Sequence, residues 1–407
     1  MSKRARGLVL AAWLLAMPAG VSAQTSDGVA HHSALQRVTF GGEVSAILGP
    51  PDDDAWFNYT DYEEDALRMA RVRLFGEWHA ADRLSVVGEL RVENKLDVSA
   101  SALYVRWQPS AAAPFHIQAG RIPPLVGAFA RRAYGRDNAV IGLPLAYQYL
   151  TSLRAEALPF SIDDVLRMRA RGWLATYPVG EYESGPGVAL LSASNWDTGV
   201  EGTWQAGWID VSAAVTRGAP AVPVVRDTNA GLMWSGRTTL RLPRGLMVGF
   251  SAARGQWIED EVLELTPRGK DSASRQSTVA ADVEMGHGPW LVRGEWLRTR
   301  FELPLVATAP DGVALSAWSG FVETRYRPHP RWQMAGRIDR LDFSTVQGTS
   351  IGVTGMSWDA PITRLEGTLG YRATRSLEVR GGWQHNWRDG GRIRARGVPA
   401  IAVLYWF

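Results

Sequence analysis

The sequence predicts an all-β protein: a transmembrane antiparallel β-barrel of 16–18 strands with an inward-folding long loop. Apolar and polar residues alternate with a period of two in segment after segment of the chain. The connections between these segments tend to be short and long in turn. After residue 23 the chain contains no run of 18 apolar residues, so no segment is a candidate for a membrane-spanning helix.

The N-terminal residues have the pattern of a secretory signal peptide. Three basic residues precede an apolar stretch over residues 8–17, and Val21-Ser22-Ala23 then fits the small-x-small cleavage rule. We therefore assign residues 1–23 to a signal peptide, residues 24–37 to a short periplasmic linker and residues 38–407 to the barrel. The protein is predicted to be exported.

Charge and cysteine content exclude several classes of function. Removal of the three basic residues of the signal peptide reduces the 44 basic residues to 44 − 3 = 41, which equals the 41 acidic residues. This neutral balance gives no indication of a nucleic-acid partner. Because the chain has no cysteine, disulfides, thiolate metal sites and cysteine nucleophiles are excluded.

The alternation predicts the strands one by one. One segment, for example, places Leu84 and Leu90 on one face and Ser85 and Glu89 on the other, as in a strand with one apolar and one polar face. Eighteen strands are predicted, near residues 38–48, 66–80, 83–95, 97–108, 114–122, 166–177, 187–195, 199–206, 208–217, 231–242, 245–258, 275–286, 289–302, 314–327, 331–343, 361–373, 376–388 and 397–407. The pattern is weakest in the three segments between 187 and 217, so a count of sixteen is also compatible with the sequence.

The connections indicate how the barrel is oriented. Short turns fall at 81–82, 243–244, 288 and 374–375, and long connections at 49–65, 123–165, 218–230, 259–274, 303–313 and 344–360. Short periplasmic turns and long outer loops are typical of bacterial barrels, whose even number of strands places both termini on one side.

A secreted β-sandwich or β-helix would alternate in the same way, and two features argue against it. Many predicted strands run longer than the usual strand of a soluble protein and suit a tilted membrane strand. Tryptophans also cluster beside the short turns, as in an interfacial girdle. These tryptophans are Trp78, Trp107, Trp204, Trp208, Trp290 and Trp332.

The last strand carries a recognisable ending. The chain finishes on Ile401-Ala402-Val403-Leu404-Tyr405-Trp406-Phe407. A strand that ends on Phe, with apolar residues at every second position before it, resembles the assembly signal of Gram-negative outer-membrane proteins. The resemblance implies residence in the cell outer membrane, assembly by the barrel assembly machinery, and contact with outer-membrane lipid and lipopolysaccharide.

A narrower resemblance, to porins of the phosphate-selective type, rests on two stretches. These are Gln118-Ala119-Gly120-Arg121-Ile122-Pro123-Pro124-Leu125-Val126-Gly127 and Pro144-Leu145-Ala146-Tyr147-Gln148-Tyr149. The lysine-rich loops expected for phosphate capture are missing, because only Lys95 and Lys270 follow the signal peptide. The resemblance therefore implies a porin without implying phosphate specificity.

The longest predicted connection, residues 123–165, resembles the porin loop that folds inward and narrows the pore. It contains many apolar residues, which indicates that it packs against the barrel wall. Its charged residues at the candidate constriction are Arg131, Arg132, Arg136 and Asp137. The alternative is an extracellular lid that packs on neighbouring loops.

Arginines at inward-facing positions are the main chemical feature. A permanently charged, planar guanidinium suits the selection of anions in a pore. The predicted pore-lining residues are Arg71, Arg73, Arg91, Arg121, Arg167, Arg169 and Arg171. The last three would form a ladder with steps of about 7 Å along one strand. Glutamates and aspartates also fall at inward positions, so the alternative is that many of these arginines form ion pairs within the wall.

Together these features predict a porin-like channel for passive diffusion of small polar or anionic solutes. No enzyme is predicted: the sequence shows no P-loop, dinucleotide fingerprint, zinc spacing or convergent Ser, His and carboxylate, so no catalytic residue, cofactor or metal is expected. Two alternatives stay open. One is an exporter of an anionic polymer, and the other is a structural or adhesive barrel plugged by its loops. A monomer and a homotrimer are both compatible, and a homotrimer is slightly favoured.

Overall fold

The computed structural model describes residues 37–407 except 53, 60–64, 94–97, 111, 134, 194–195, 224–230, 307–308 and 350–353. The predicted signal peptide and the predicted linker, apart from its last residue, lie outside the described residues. In chain order the strands are β1 Val38–Leu48, β2 Ala70–Ala81, β3 Leu84–Val92, β4 Val98–Trp107, β5 Phe115–Ile122, β6 Ala157–Leu158, β7 Val179–Gly180, β8 Asp197–Ala206, β9 Ile209–Thr216, β10 Met233–Leu242, β11 Leu246–Gln256, β12 Arg275–His287, β13 Trp290–Leu305, β14 Ala309–His329, β15 Trp332–Phe343, β16 Thr345–Gln347, β17 Thr354–Ser357, β18 Ile362–Arg372, β19 Leu377–Arg388 and β20 Ala395–Trp406. Short α-helices cover Leu145–Gln148, Ile162–Arg167 and Asp260–Leu263.

Sixteen of these strands form one closed antiparallel barrel. The other four form two separate hairpins, β6 with β7 and β16 with β17. The barrel closes where β1 pairs with β20, with Glu43 opposite Trp406. The last residue extends this pairing, since Gly42 and Phe407 each donate a backbone N–H to the carbonyl of the other at 3.1 Å. The all-β transmembrane barrel is therefore confirmed, with sixteen strands.

Two predicted strands, 166–177 and 187–195, are wrong. In the first, a helix over Ile162–Arg167 begins at Ser161, whose side chain forms a capping box with Asp164. Farther on, Ala170 has a φ of 63°, which no regular strand allows. Because β5 already pairs with β8, neither segment finds a free strand edge within the barrel. Alternation of polarity alone does not make a strand without a partner for its backbone.

The predicted long connection over 303–313 is also wrong. β13 and β14 continue to pair up to Leu305 and Ala309, after a register shift between Leu303 and Leu305. The strands therefore extend farther than the apolar–polar pattern indicated.

The wall presents its apolar face outward. On β15, Met334 and Ile338 are exposed, whereas Arg337 and Asp339 are buried. The six tryptophans predicted beside the short turns are all exposed, between 41% and 60%. Such an outward apolar band with aromatic residues near its edge is what a membrane-spanning barrel requires. Among the described residues, no helix is long and apolar enough to cross a bilayer.

In the half of β13 that leads to the long loops, the apolar side chains face inward and the charged side chains face outward. Leu297 and Phe301 point inward and are buried, whereas Arg298 and Arg300 point outward and are exposed. An apolar inner face has to be covered by another part of the chain, because water would otherwise fill the lumen beside it.

Candidate functional site in the lumen

The connection between β5 and β8, residues 123–196, covers that apolar inner face. Since the predicted strands after 165 are absent, the connection is longer than the predicted 123–165. Its buried apolar side chains share one core with inner-wall side chains. The core includes Phe129, Leu145, Tyr147, Leu153 and Leu190 from the connection and Leu297, Phe301, Phe321, Leu341 and Phe343 from the wall. This packing uses the apolar content that the sequence showed in the segment.

Two glycines of the Gln118–Gly127 stretch allow the chain to enter the connection. Gly120 has a φ of +129°, and a Cβ there would lie 2.4 Å from the carbonyl oxygen of Leu103. Gly127 has a φ of +74°, and a Cβ there would lie 2.0 Å from the Tyr147 hydroxyl. Both positions therefore require glycine.

A buried carboxylate on β13 holds the first part of the connection. Glu295 accepts hydrogen bonds from the backbone N–H of Ala128 at 2.6 Å and of Phe129 at 3.2 Å. Its other oxygen accepts the Tyr147 hydroxyl at 2.5 Å. Backbone N–H groups with a charged acceptor form strong hydrogen bonds, so this carboxylate replaces the water that these groups would otherwise require.

Two more carboxylates hold the middle of the connection. Glu366 on β18 accepts hydrogen bonds from the backbone N–H of Ile141 at 3.0 Å and of Gly142 at 2.6 Å. Asp339 on β15 accepts one from Leu145 N–H at 2.5 Å. Glu366 also forms an ion pair of 2.9 Å with Arg337, and both side chains are buried.

Wall arginines bind the carbonyl groups of the same segment. Arg337 donates to the Gly142 carbonyl at 2.9 Å, and Arg380 donates to the Asn138 carbonyl at 2.6 Å. Arg364 donates to the Leu143 carbonyl at 2.9 Å. These arginines hold a loop, a role that alternation could not distinguish from solute binding.

The predicted pore-lining arginines on β2 and β3 are paired with acids of the wall. Arg71 lies 2.8 Å from Glu93, and Arg73 lies 2.7 Å from Glu89. Arg91 is buried and lies 3.6 Å from Glu93. On β5, the side chain of Arg121 donates to the Trp196 carbonyl at 3.0 Å.

The predicted arginine ladder does not exist, because its three residues lie outside any strand. Arg167 ends the helix over 162–167 and pairs with Asp164 of the same helix. Arg169 donates to the Ser357 carbonyl at 3.2 Å, and Arg171 is exposed in an irregular segment. The even spacing therefore has no counterpart in space.

The four residues predicted at the constriction have different contacts. Arg131 donates to the Pro124 carbonyl at 3.2 Å. Arg132 forms an ion pair of 2.5 Å with Glu284 of β12. The Asp137 carbonyl accepts a hydrogen bond of 3.0 Å from Arg293 of β13.

The fourth, Arg136, belongs to a group of arginines near the short-turn end of the barrel. We call this group the lower arginine cluster; it comprises Arg136, Arg325, Arg327, Arg372 and Arg380. Arg380 lies 2.5 Å from Glu378, and Arg372 lies 3.9 Å from the same carboxylate. Gln333 links Arg327 to Glu378 through hydrogen bonds of 3.3 and 2.5 Å.

The lower arginine cluster contains more charge than its direct partners neutralise. Within the described part of the chain, the Arg325 side chain has no hydrogen bond or ion pair; its charged neighbours are Arg327, Arg293 and Arg380, with one carboxylate, Glu323. The guanidinium groups of Arg136, in the connection, and Arg372, in the wall, lie 5.3 and 5.6 Å from the Trp406 ring. Sequence reasoning assigned none of Arg325, Arg327 and Arg372 to a site. The signal that could have found them is two or more arginines just before a short turn.

Cavities lie on two sides of the connection. A polar cavity of about 280 Å³ lies between it and the wall from β4 to β10, lined in part by Arg106, Glu201 and Arg237. A smaller one, of about 50 Å³, lies beside β1, β2 and β20, where Arg71 and Glu93 reach it. Space for water therefore remains on two sides of the connection.

A second connection, residues 49–69 between β1 and β2, packs on the first. The Phe57 carbonyl accepts a hydrogen bond of 2.7 Å from Arg364, and the Asn58 carbonyl accepts one of 2.7 Å from Gln148. Asp52 is fully buried here and accepts the backbone N–H of Phe57 at 2.6 Å and of Asn58 at 3.0 Å.

We expect Asp52 to make stability depend on pH. Burial raises the pKa of its carboxyl from 3.8 to about 6. Because the folded pKa lies above the unfolded value, the charge opposes folding above pH 6, on the order of 3 kcal/mol, and this penalty disappears as the pH falls to 4. Replacing Asp52 by Asn should therefore raise the thermal midpoint in detergent at pH 7 and not at pH 4. Replacing Asp54, which is exposed, by Asn is the matched control; an Asp52 effect equal at both pH values would contradict the prediction.

Comparisons with known proteins bear on the fold. No protein-family model matches the chain, and neither does any curated protein. Among solved structures, the anion-selective porin from Comamonas acidovorans superposes with a TM-score of 0.55 at 9% identity, over 91% of this chain and 99% of that one. OmpT, an outer membrane protein of Vibrio cholerae, gives 0.53 at 10% identity over 91% and 97%, and the outer membrane channel DcaP of Acinetobacter baumannii gives 0.52 at 8% over 91% and 97%. The chain therefore has the barrel fold of Gram-negative outer-membrane porins.

Proposed function

We propose that this protein is a porin-like outer-membrane channel through which small polar or anionic solutes diffuse passively. A barrel of sixteen strands is wide enough to enclose an aqueous lumen, whereas about eight strands would fill with side chains. The cavity of about 280 Å³ beside the 123–196 connection supplies polar space along the wall. Passage of this kind requires no covalent chemistry, so the proposal includes no enzymatic activity and no cofactor.

We also propose that the 123–196 connection narrows the pore. Its backbone is hydrogen-bonded to Glu295, Asp339, Glu366 and Arg380, which lie on strands β13, β15, β18 and β19 and alternate with outward apolar residues. A lid outside the barrel would instead be held by neighbouring loops. The 49–69 connection does contact it, but most of its polar anchors lie on the strands.

The observation that carries anion preference is the lower arginine cluster. Five guanidinium groups lie there, and among the described residues two carboxylates contact the cluster directly: Glu378, and Glu43 through the backbone N–H of Arg136. Arg325 is left without a partner among the described residues, so its charge is available to a passing anion. Arg71, Arg73 and Arg91 contribute polarity to the lining with little net charge, because each has an acid beside it.

The proposal extends to export, partners and assembly. Residues 1–23 would direct export, and the barrel assembly machinery would insert the chain beside lipopolysaccharide. We propose a homotrimer, since one solved structure of similar fold is described as a trimer form of OmpT of Vibrio cholerae.

Single-channel conductance of the refolded protein in a planar bilayer, with the reversal potential under a KCl gradient, tests the proposal. We expect stable openings and a reversal potential that indicates anion preference. A cation-selective channel would contradict the role of the arginine cluster but would still agree with a porin-like channel. A complete lack of conductance, restored by deletion within 123–196, would identify a plugged barrel; this alternative is favoured by the apolar core that the connection forms with the wall.

A further inference from the structure

Arginines also lie on the outer wall of the barrel, facing away from the lumen. On β11 to β15 they form what we call the outer arginine row: Arg254, Arg275, Arg298, Arg300 and Arg340. Arg298 is directly opposite Trp318, and Arg254 is directly opposite Trp234. Both tryptophans are exposed, so the row lies at the edge of the apolar band. It is on the long-loop side, which in such barrels is the outer leaflet.

The row carries a net positive charge. Arg340 is held by Asp342, with Nε 2.8 Å from the carboxylate, and Arg254 lies 3.3 Å from Glu302. The side chains of Arg275, Arg298 and Arg300 have no ion pair or hydrogen bond within the described part of the chain. An unpaired guanidinium next to hydrocarbon is costly, and an anionic group from the membrane would lower this cost for all three side chains.

The register places the guanidinium groups at spacings that suit phosphates. Arg254 and Arg300 are the two strand neighbours of Ser277, so their backbones lie roughly 9–10 Å apart. Arg298 is on the same face as Arg300, about 7 Å along the strand. A planar guanidinium binds phosphate through two parallel hydrogen bonds.

An apolar groove continues from the row toward the middle of the bilayer. It has a volume of about 680 Å³ and is lined by Val248, Phe250, Val283, Trp296 and Val322. Gly294 and Gly320 leave its floor open, since neither has a side chain. A phosphate site directly above an apolar groove matches a lipid with a phosphorylated headgroup and an acyl chain.

We propose that this outer wall is a binding site for the phosphorylated glycolipid of the outer leaflet, with Arg298 and Arg300 on its phosphates and an acyl chain in the groove. The inference rests on the outer-membrane placement proposed above and assigns the lipopolysaccharide contact to a surface outside the lumen.

Binding of bisphosphorylated lipid A to the full chain in nanodiscs, followed by native mass spectrometry, tests this site. The double variant Arg298→Glu/Arg300→Glu should lower the affinity roughly tenfold for each arginine, because each loses a charge-assisted hydrogen bond. Conductance should stay as in the unaltered chain. Arg375→Gln, an exposed arginine at the opposite, short-turn end, is the control and should change neither quantity.

Two further comparisons make the result decisive. Gly294→Leu fills the groove without touching charge, and space exists because a Cβ there meets its nearest atom, on Val283, at 3.4 Å; it should also weaken binding. Should the charge-reversed variant not insert, Arg298→Gln/Arg300→Gln replaces it. Three outcomes would overturn the proposal. The arginine variants could bind lipid A as tightly as the unaltered chain does, or the unaltered chain could bind dephosphorylated lipid A or phosphatidylglycerol as tightly as lipid A. The third is that the arginine variants dissociate a trimer while their binding of lipid A is unchanged. Absence of conductance with lipid binding retained would instead contradict only the proposed channel.

Discussion

Replacing Glu366 with Gln should release the middle of the 123–196 connection and thereby enlarge the proposed pore. The buried carboxylate accepts two backbone N–H groups and is the nearer of two carboxylates beside Arg337, the other being Glu323 at 3.5 Å. Its loss weakens these charge-assisted hydrogen bonds at a cost of about 3 kcal/mol. The Gln amide group would also place a donor against another donor. Hydrogen-exchange protection at Ile141 and Gly142 should fall by at least about 100-fold, and single-channel conductance should rise.

The barrel itself should persist in this variant, because its ladder of backbone hydrogen bonds does not involve Glu366 side-chain atoms. Glu295→Gln, which frees Ala128 and Phe129, should add to the effect when combined with it. Glu77→Gln is the matched control, since Glu77 faces Arg106 and, among the described residues, has no hydrogen bond or ion pair with the connection. Unchanged protection and unchanged conductance in the double variant would show that the carboxylates do not hold the loop.

Reversing the charge of Arg325 and Arg327 should convert the proposed anion preference into cation preference. Two unit charges 4 Å apart in water interact by about 1 kcal/mol, so each arginine is expected to change the local anion occupancy about fivefold. The variants Arg325→Glu and Arg327→Glu should each shift the reversal potential toward that of a cation channel, and the double variant should cross zero.

Salt supplies an internal check on this electrostatic mechanism. At 1 M ionic strength the Debye length is about 3 Å, so the difference between the variants and the unaltered chain should shrink. Arg83→Gln, an exposed arginine in a short turn outside the lumen, should leave selectivity unchanged. A shift that persists at high salt, or one of the same size in the Arg83 variant, would argue against attraction by the lower arginine cluster.

The strands of the wall could be predicted from the sequence because a bilayer imposes one simple rule on them. Met334 and Ile338 face lipid while Arg337 and Asp339 face inward, so apolar and polar residues alternate along the sequence of the strand. The rule failed over 166–177, where the alternation occurs without a partner strand and the capping pair Ser161 and Asp164 begins a helix instead.

The arginines show a second limit of the pattern. Alternation placed Arg73 inward and could not show that Glu89 lies 2.7 Å away across the sheet. It also gave no weight to Arg298 and Arg300, because inward and outward polarity exchange along β13 once an inner core exists.

What the sequence by itself determined is therefore a membrane-spanning, all-β barrel, since strand length, alternation and turn placement are local properties that the bilayer selects. Only the tertiary structure decided which charges are neutralised, which arginines hold the 123–196 connection and which stay available. Those outcomes depend on side chains far apart in the chain, such as Tyr147 with Glu295 and Arg136 with Trp406, and closure of the barrel is what brings them together.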